Sequence, residues 1–205
     1  MKRFLLFFAA LWLAGMSMMN ASTCADLNAI TGTVNNFSLE QVTVVYAKSP
    51  YYYVQDATGT TLVYKASYGL QAGDVVTGIS GTAVLYSGLP ELSNPTAYSS
   101  LTVTPGTAPT IPDATVAPTA ADVNKVFWFR DVNMGNQSFT SSKKINLPGI
   151  FNGSTIQFRN AWTEAYPLTP PRPTTSWVAW PFTIAPFKCM QLTFKSTTRR
   201  DLILS

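Results

Sequence analysis

The chain of 205 residues contains no histidine, only two cysteines and few charges, 12% in all. Without His there is no Ser-His-Asp or Cys-His catalysis, no His-ligated metal and no imidazole acid/base work. Cys24 and Cys189 stand 165 positions apart, which excludes a zinc ribbon and a disulfide-rich scaffold. Scarce charge argues against a long disordered chain, because 46% apolar and 13% aromatic residues suffice for packed cores. The sequence also lacks a phosphate loop, a metal-spaced cluster and a nucleophile beside a base. It points away from an enzyme and calls for no cofactor and no metal.

What is present begins with an address. Lys2 and Arg3 precede the apolar run from Phe4 to Ala14, and small or polar residues follow at Ala21-Ser22. This reads as a secretory signal peptide over residues 1–21, too short and wrongly flanked for a membrane span. The chain is therefore expected to be exported, to periplasm, cell surface or medium, with no transmembrane span after signal removal. Cys24 opens a lipoprotein option, although Ala21-Ser22-Thr23 is a poor lead-in for lipidation.

The net charge of +4 comes from the two ends. Between Ser22 and Thr174 there are eight basic and nine acidic residues, so the body is near neutral. The basic balance is not a nucleic-acid footprint.

Length suits one large β domain or two small ones. A Pro/Thr-rich stretch over residues 105–120, with Pro105, Pro109, Pro112 and Pro118, should run extended as a semi-rigid linker. Before it, residues 26–104 read as β throughout. Val42–Ala47, Tyr51–Asp56, Thr61–Lys65 and Val75–Tyr86 carry β-branched and aromatic residues. Asp56 with Gly59, and Ser87-Gly88, mark turns. Gly78 and Gly81 mark bending or a bulge, and only Tyr68–Leu70 hints at a helical turn. Strand units of this kind suit a small OB-type barrel.

Tyr52-Tyr53-Val54-Gln55-Asp56-Ala57-Thr58-Gly59, Gly73-Asp74-Val75-Val76, Gly78, Gly81 and Gly88-Leu89-Pro90-Glu91-Leu92 resemble secreted bacterial OB-fold domains, many of them tandem. The resemblance covers about residues 29–104. It implies an all-β fold of two Greek-key barrels in tandem. The family's frequent nucleic-acid label rests on fold analogy.

Residues 121–174 read as a partial second OB-type domain. Lys125–Val132 suggests a strand, and Asn152-Gly153 a hairpin turn before Ser154–Trp162. The tail from Thr175 to Ser205 does not fit. Pro181 and Pro186 bracket Phe182–Ala185, leaving Met190–Lys195 as the longest run free to pair. A shifted reading frame from Thr174-Thr175 permits alternating strand text there, so the tail is expected to be out of frame and outside a packed second barrel.

The candidate site is a stacking face. Tyr46, Tyr51, Tyr53 and Tyr64, with Lys48 and Lys65, gather where OB domains bind oligonucleotides or oligosaccharides. Strand alternation puts Tyr51 and Tyr53 on one face and Tyr52 on the other, so ordinary barrel packing competes for these rings. In Phe127-Trp128-Phe129-Arg130 one parity must likewise be buried. Lys143-Lys144 suggests a solvated loop. Asp56 and Asp74 read as turn acceptors rather than acid/base groups. The expected function is an exported, non-enzymatic binding module with an oligosaccharide or protein partner. A structural or assembly role at the cell envelope, and single-stranded nucleic-acid binding, stand as alternatives. Phosphate binding needs clustered Lys and Arg, so nucleic acid is not favoured. Cys24, near the cleavage point, is expected to be frayed and unpaired with Cys189.

Overall fold

A computed structural model describes residues 21–133 and 146–160, with short strands at 180–181, 190–192, 194–197 and 201–204. The apolar leader, Lys143-Lys144 and Cys189 lie outside the described residues.

Eight strands build the first segment: β1 Val34–Ser38, β2 Val42–Lys48, β3 Tyr51–Asp56, β4 Gly59–Tyr64, β5 Val75–Thr77, β6 Ser80–Tyr86, β7 Leu89–Ser93 and β8 Thr102–Thr104. They hydrogen-bond in the order β1-β6-β7-β4-β3-β2-β5-β8. β1 and β2 are successive pieces of one strand, broken at residues 39–41. β5 and β6 are pieces of another, broken at Gly78-Ile79, where Gly78 takes φ +90°. With each pair joined, the order returns to its start, because β1 pairs with β6 and β2 with β5. β7 runs parallel to β4. A closed five-strand order with that one parallel pair is an OB-type Greek-key barrel. The all-β expectation holds.

Alternation fills the interior. Val42, Val44, Tyr52, Val54, Val63, Val76 and Leu92 point inward, with Leu27, Phe37 and Ile79 closing the core. Turn chemistry sets the ladders. Asp56 Oδ1 accepts from the Thr58 and Gly59 amides at 2.7 and 3.2 Å, closing the β3–β4 hairpin. Ser87 and Gly88, both at positive φ, close β6 onto β7.

The N-terminal end differs from expectation. Cys24–Asn28 is a short helix, α1, started by a capping box between Thr23 and Asp26. Five residues do not hold a helix alone. Here the Cys24 amide donates to Asp56 Oδ2 at 2.7 Å and the Ala25 amide to Thr58 Oγ1 at 3.0 Å, while Cys24 and Leu27 enter the core. Cys24, expected at a frayed end, is 0% exposed, with its thiol donating to the Val54 carbonyl at 3.7 Å.

Burial, then the nearby Asp56 carboxylate, pushes the Cys24 thiol far above its ordinary range. A buried thiol of that kind is inert toward alkylation. In a Cys189→Ser chain, Cys24 should resist iodoacetamide in the native state and react after denaturation. Rapid native labelling would put the sulfur outside the core.

Within the Pro/Thr stretch, expected as a semi-rigid linker, Ile111 packs against the outside of the barrel. The Trp128 amide donates to Pro112 O at 2.9 Å, and the Ala114 amide to Trp128 O at 2.7 Å. Asn124 Nδ2 donates to Asn28 Oδ1 and to Pro90 O, both at 2.8 Å. Ile111, with Val123 and Val126 just beyond the stretch, packs over an apolar strip on the barrel's outside.

Beyond it come β9 (Val126–Phe127), β10 (Asn146–Phe151) and β11 (Ser154–Asn160). The strand expected over 125–132 shrinks to two residues, because Asn124 and Asp131 at φ +60° and +56° bend the chain around it. Asn152 and Gly153, at φ +48° and +77°, make the expected hairpin turn. Phe129 is fully buried, edge-on to Phe151 and Phe158 with ring centroids 4.8 and 6.4 Å away. The parity holding Phe129, rather than Trp128, is core.

In the tail, β12 (Trp180–Pro181) pairs with β9, and β13 (Met190–Leu192) lies parallel to β11. β14 (Phe194–Thr197) and β15 (Asp201–Leu204) pair with each other. Among the described residues, the chain beyond 121 forms sheets of three, two and two strands rather than a closed second barrel.

Candidate binding face

Register places the candidate side chains in rows across the outside of β2, β3 and β4. Lys48 stands opposite Tyr51, and Tyr51 opposite Tyr64. The next row is Tyr46, Tyr53 and Leu62, and a third is Thr43, Gln55 and Thr60. A bulge between Val44 and Tyr46 lets Val45 join Tyr46 on the outer side. The sequence-selected tyrosines therefore do share one face of the barrel.

That face is not open along its length. Tyr53 is 0% exposed and Tyr51 is also buried, packed with Val45, Leu62, Leu89 and Val126, while Ile111 and Val123 flank them. Tyr46 is half-buried, its ring 6.4 Å from that of Tyr53. The expected stacking platform is thus corrected at Tyr51 and Tyr53. Their apolar rings lie against the chain's own 111–126 segment, which removes more apolar surface from water than an open face would.

Two ends are left uncovered. At one, Tyr64 is 39% exposed and edge-on to Tyr51 at 5.4 Å, with half-exposed Lys48 and Lys65 nearby. The Lys65 amide donates to Pro50 O at 2.8 Å, tying the end of β4 to the β2–β3 turn. At the other end, Glu40, Gln41, Thr43, Gln55, Asp56 and Ala57 line a shallow cleft of about 430 Å³.

The carboxylates divide as expected at two positions. Asp56 accepts from Thr58, Gly59 and Cys24. Burial works against its charge, but the bonds from Thr58 and Cys24 prevail and hold its pKa below the ordinary value. Asp74 Oδ2 accepts the Gln71 amide at 2.7 Å, a turn bond.

Glu91 is the residue that sequence reasoning underused. It is buried, with Ser93 Oγ donating to its Oε1 at 2.8 Å. Its signal was parity: it alternates with Leu89, which belongs to the outer cluster. Burial raises its pKa above the ordinary 4.5, only partly offset by the Ser93 bond. A carboxyl whose folded pKa is raised favours folding when protonated. That contribution is complete below the unfolded value and is lost as pH rises through the folded one. Glu91→Gln should therefore raise the melting temperature at pH 7, with the gain disappearing as pH falls below 4.5, in thermal melts across pH. A loss at pH 7 would mean that the charge has a favourable partner.

No family model matches the chain, and no curated protein matches it. A solved structure described as p202 HIN1 in complex with 12-mer dsDNA is similar at 12% identity and a TM-score of 0.35, over 90% of this chain and 100% of that one. A likeness of that size carries no argument about the ligand. Among the described residues, no helix is long and apolar enough to cross a membrane.

Proposed function

We propose that the chain is an exported, non-enzymatic binding module that holds an oligomeric ligand, a glycan in the first place, on the outside of its OB-type barrel. The observation that carries this reading is the outer face of β2–β4. It is closed over in the middle and open at both ends, with a ring at one end and a polar cleft at the other. Four of the described aspartates support a role without acid/base chemistry, since Asp26, Asp56, Asp74 and Asp122 accept hydrogen bonds from caps and turns. Export rests on the Lys2-Arg3 lead and the apolar run behind it.

A second reading, single-stranded nucleic acid, has one observation in its favour. Lys48 lies in the row of Tyr51 and Tyr64, the pairing of cation and ring that a strand uses. The near-neutral body opposes it, because phosphate contacts accumulate on clustered cations.

Tyr64→Ala should weaken binding of a ligand-length oligomer by about 1–3 kcal/mol, with an unchanged circular dichroism spectrum. Titration of neutral tetrasaccharides and of (dT)15 at two salt concentrations checks this. A steep loss with salt identifies the strand, and a flat response the glycan. Unchanged affinity in Tyr64→Ala would remove this ring from the site.

A further inference from the structure

We infer that the cleft between the start of β2 and the end of β3 is a subsite for one uncharged sugar unit, held by Gln41, Thr43 and Gln55 with Glu40 at its edge. The inference rests on the binding-module reading and narrows its ligand to an uncharged sugar.

Thr43 and Gln55 face each other across the β2–β3 ladder, one row beyond Tyr46 and Tyr53 on the same outer face. The 111–126 segment covers the apolar part of that face, and the cleft is the open end lined mainly by polar side chains.

The lining groups differ in what they already bind. Asp56 is fully engaged: one carboxylate oxygen accepts from Thr58 and Gly59, the other from the Cys24 amide. By contrast, the side chains of Glu40, Gln41, Thr43 and Gln55 make no hydrogen bond to another described residue. Two amides and a hydroxyl supply donors and acceptors together, and Glu40 supplies acceptors alone. Sugar hydroxyls, each a donor and an acceptor, match such a set.

Charge then selects within the sugars and against phosphates. The lining holds two carboxylates and no Lys or Arg. Asp56 keeps its negative charge through its hydrogen bonds. A phosphodiester or a uronate would lie against like charge, whereas a neutral unit meets no such penalty. The cleft of about 430 Å³ is within the usual range for small-ligand sites.

The test uses the full chain and calorimetric titration with cellotetraose, N-acetylchitotetraose, maltotetraose and (dT)15. One neutral tetrasaccharide should bind. The double variant Gln41→Ala/Gln55→Ala should weaken it about tenfold or more, with an unchanged melting temperature, through the loss of two or more hydrogen bonds. If the double variant binds as well as the parent while Tyr64→Ala weakens binding, the cleft assignment fails and the module reading stands. Binding of (dT)15 alone likewise overturns the cleft assignment and leaves the module reading in place. Binding of neither sugar nor strand overturns both.

Discussion

Replacing Tyr53 by alanine is expected to lower the free energy of unfolding by about 3–5 kcal/mol, the range for truncating a large buried aromatic. On an open stacking face the same change would leave stability nearly untouched and act on ligand alone. The structure decides for burial. Tyr53 has no exposed surface and packs with Val45, Leu62, Leu89 and Val126, its ring tilted toward that of Tyr46. It is also the floor on which the 111–126 segment rests, so the cavity would loosen the cover as well as the barrel. Tyr64→Ala, at a 39% exposed ring, should cost about 1 kcal/mol or less by comparison. Urea unfolding of both variants, followed by far-ultraviolet circular dichroism, makes the comparison. Equal midpoints for Tyr53→Ala and the parent would mean that the face is uncovered in solution.

Much of the barrel was legible because its signals are local. Asp56 with Gly59, Ser87-Gly88 and Asn152-Gly153 each specify a turn through side-chain acceptors or positive φ, and each closes a hairpin as expected. Period-two alternation separated Tyr52 from Tyr51 and Tyr53 without any tertiary knowledge. It could not say that both sides would be buried. The cover comes from Ile111, Val123 and Val126, far along the chain, in a Pro/Thr context that reads as a spacer. Proline prevented that segment from becoming a regular strand, yet did nothing to stop its apolar side chains from docking.

The helix at Cys24–Asn28 had a written signal, the Thr23–Asp26 capping box, but too few residues to show a period. Without the helix, Cys24 looked like part of a loose end. The cleft was invisible for a different reason. Gln41 and Thr43 meet Gln55 only once the β2–β3 register is fixed, and a bulge at Val45 with no glycine to announce it sets that register. The two ends of the candidate face were therefore unequally readable: aromatic residues advertise themselves in sequence, and scattered amides do not.

Gly73→Ala should be the most damaging single methyl in the barrel, costing about 3 kcal/mol or more. Two effects add. Gly73 sits at φ +98°, a region that L side chains enter only with strain. A Cβ there would also stand 2.5 Å from Gly106 O and 2.8 Å from Ala108 N. Both obstacles are backbone, so neither can swing aside as a side chain would. Gly73 itself is fixed, because its amide donates to Val44 O at 2.8 Å. The chain at residues 106–108 must give way instead. It follows directly on β8, whose Thr102–Thr104 ladder lies on β5, and leads into the segment that covers Tyr53. One methyl should thus loosen a barrel edge and the docked stretch together. Gly32→Ala is the control: nothing lies within 4 Å of its Cβ, so it should shift stability by no more than about 0.5 kcal/mol. Urea midpoints measure the stability difference, and limited proteolysis within residues 105–120 reports the release of the docked stretch. Gly73→Ala should be cut faster there than the parent, with Gly32→Ala cut at the parental rate. If Gly73→Ala and Gly32→Ala unfold and are cleaved alike, the Pro/Thr stretch does not pack on the barrel in solution, and the cover over Tyr53 goes with it.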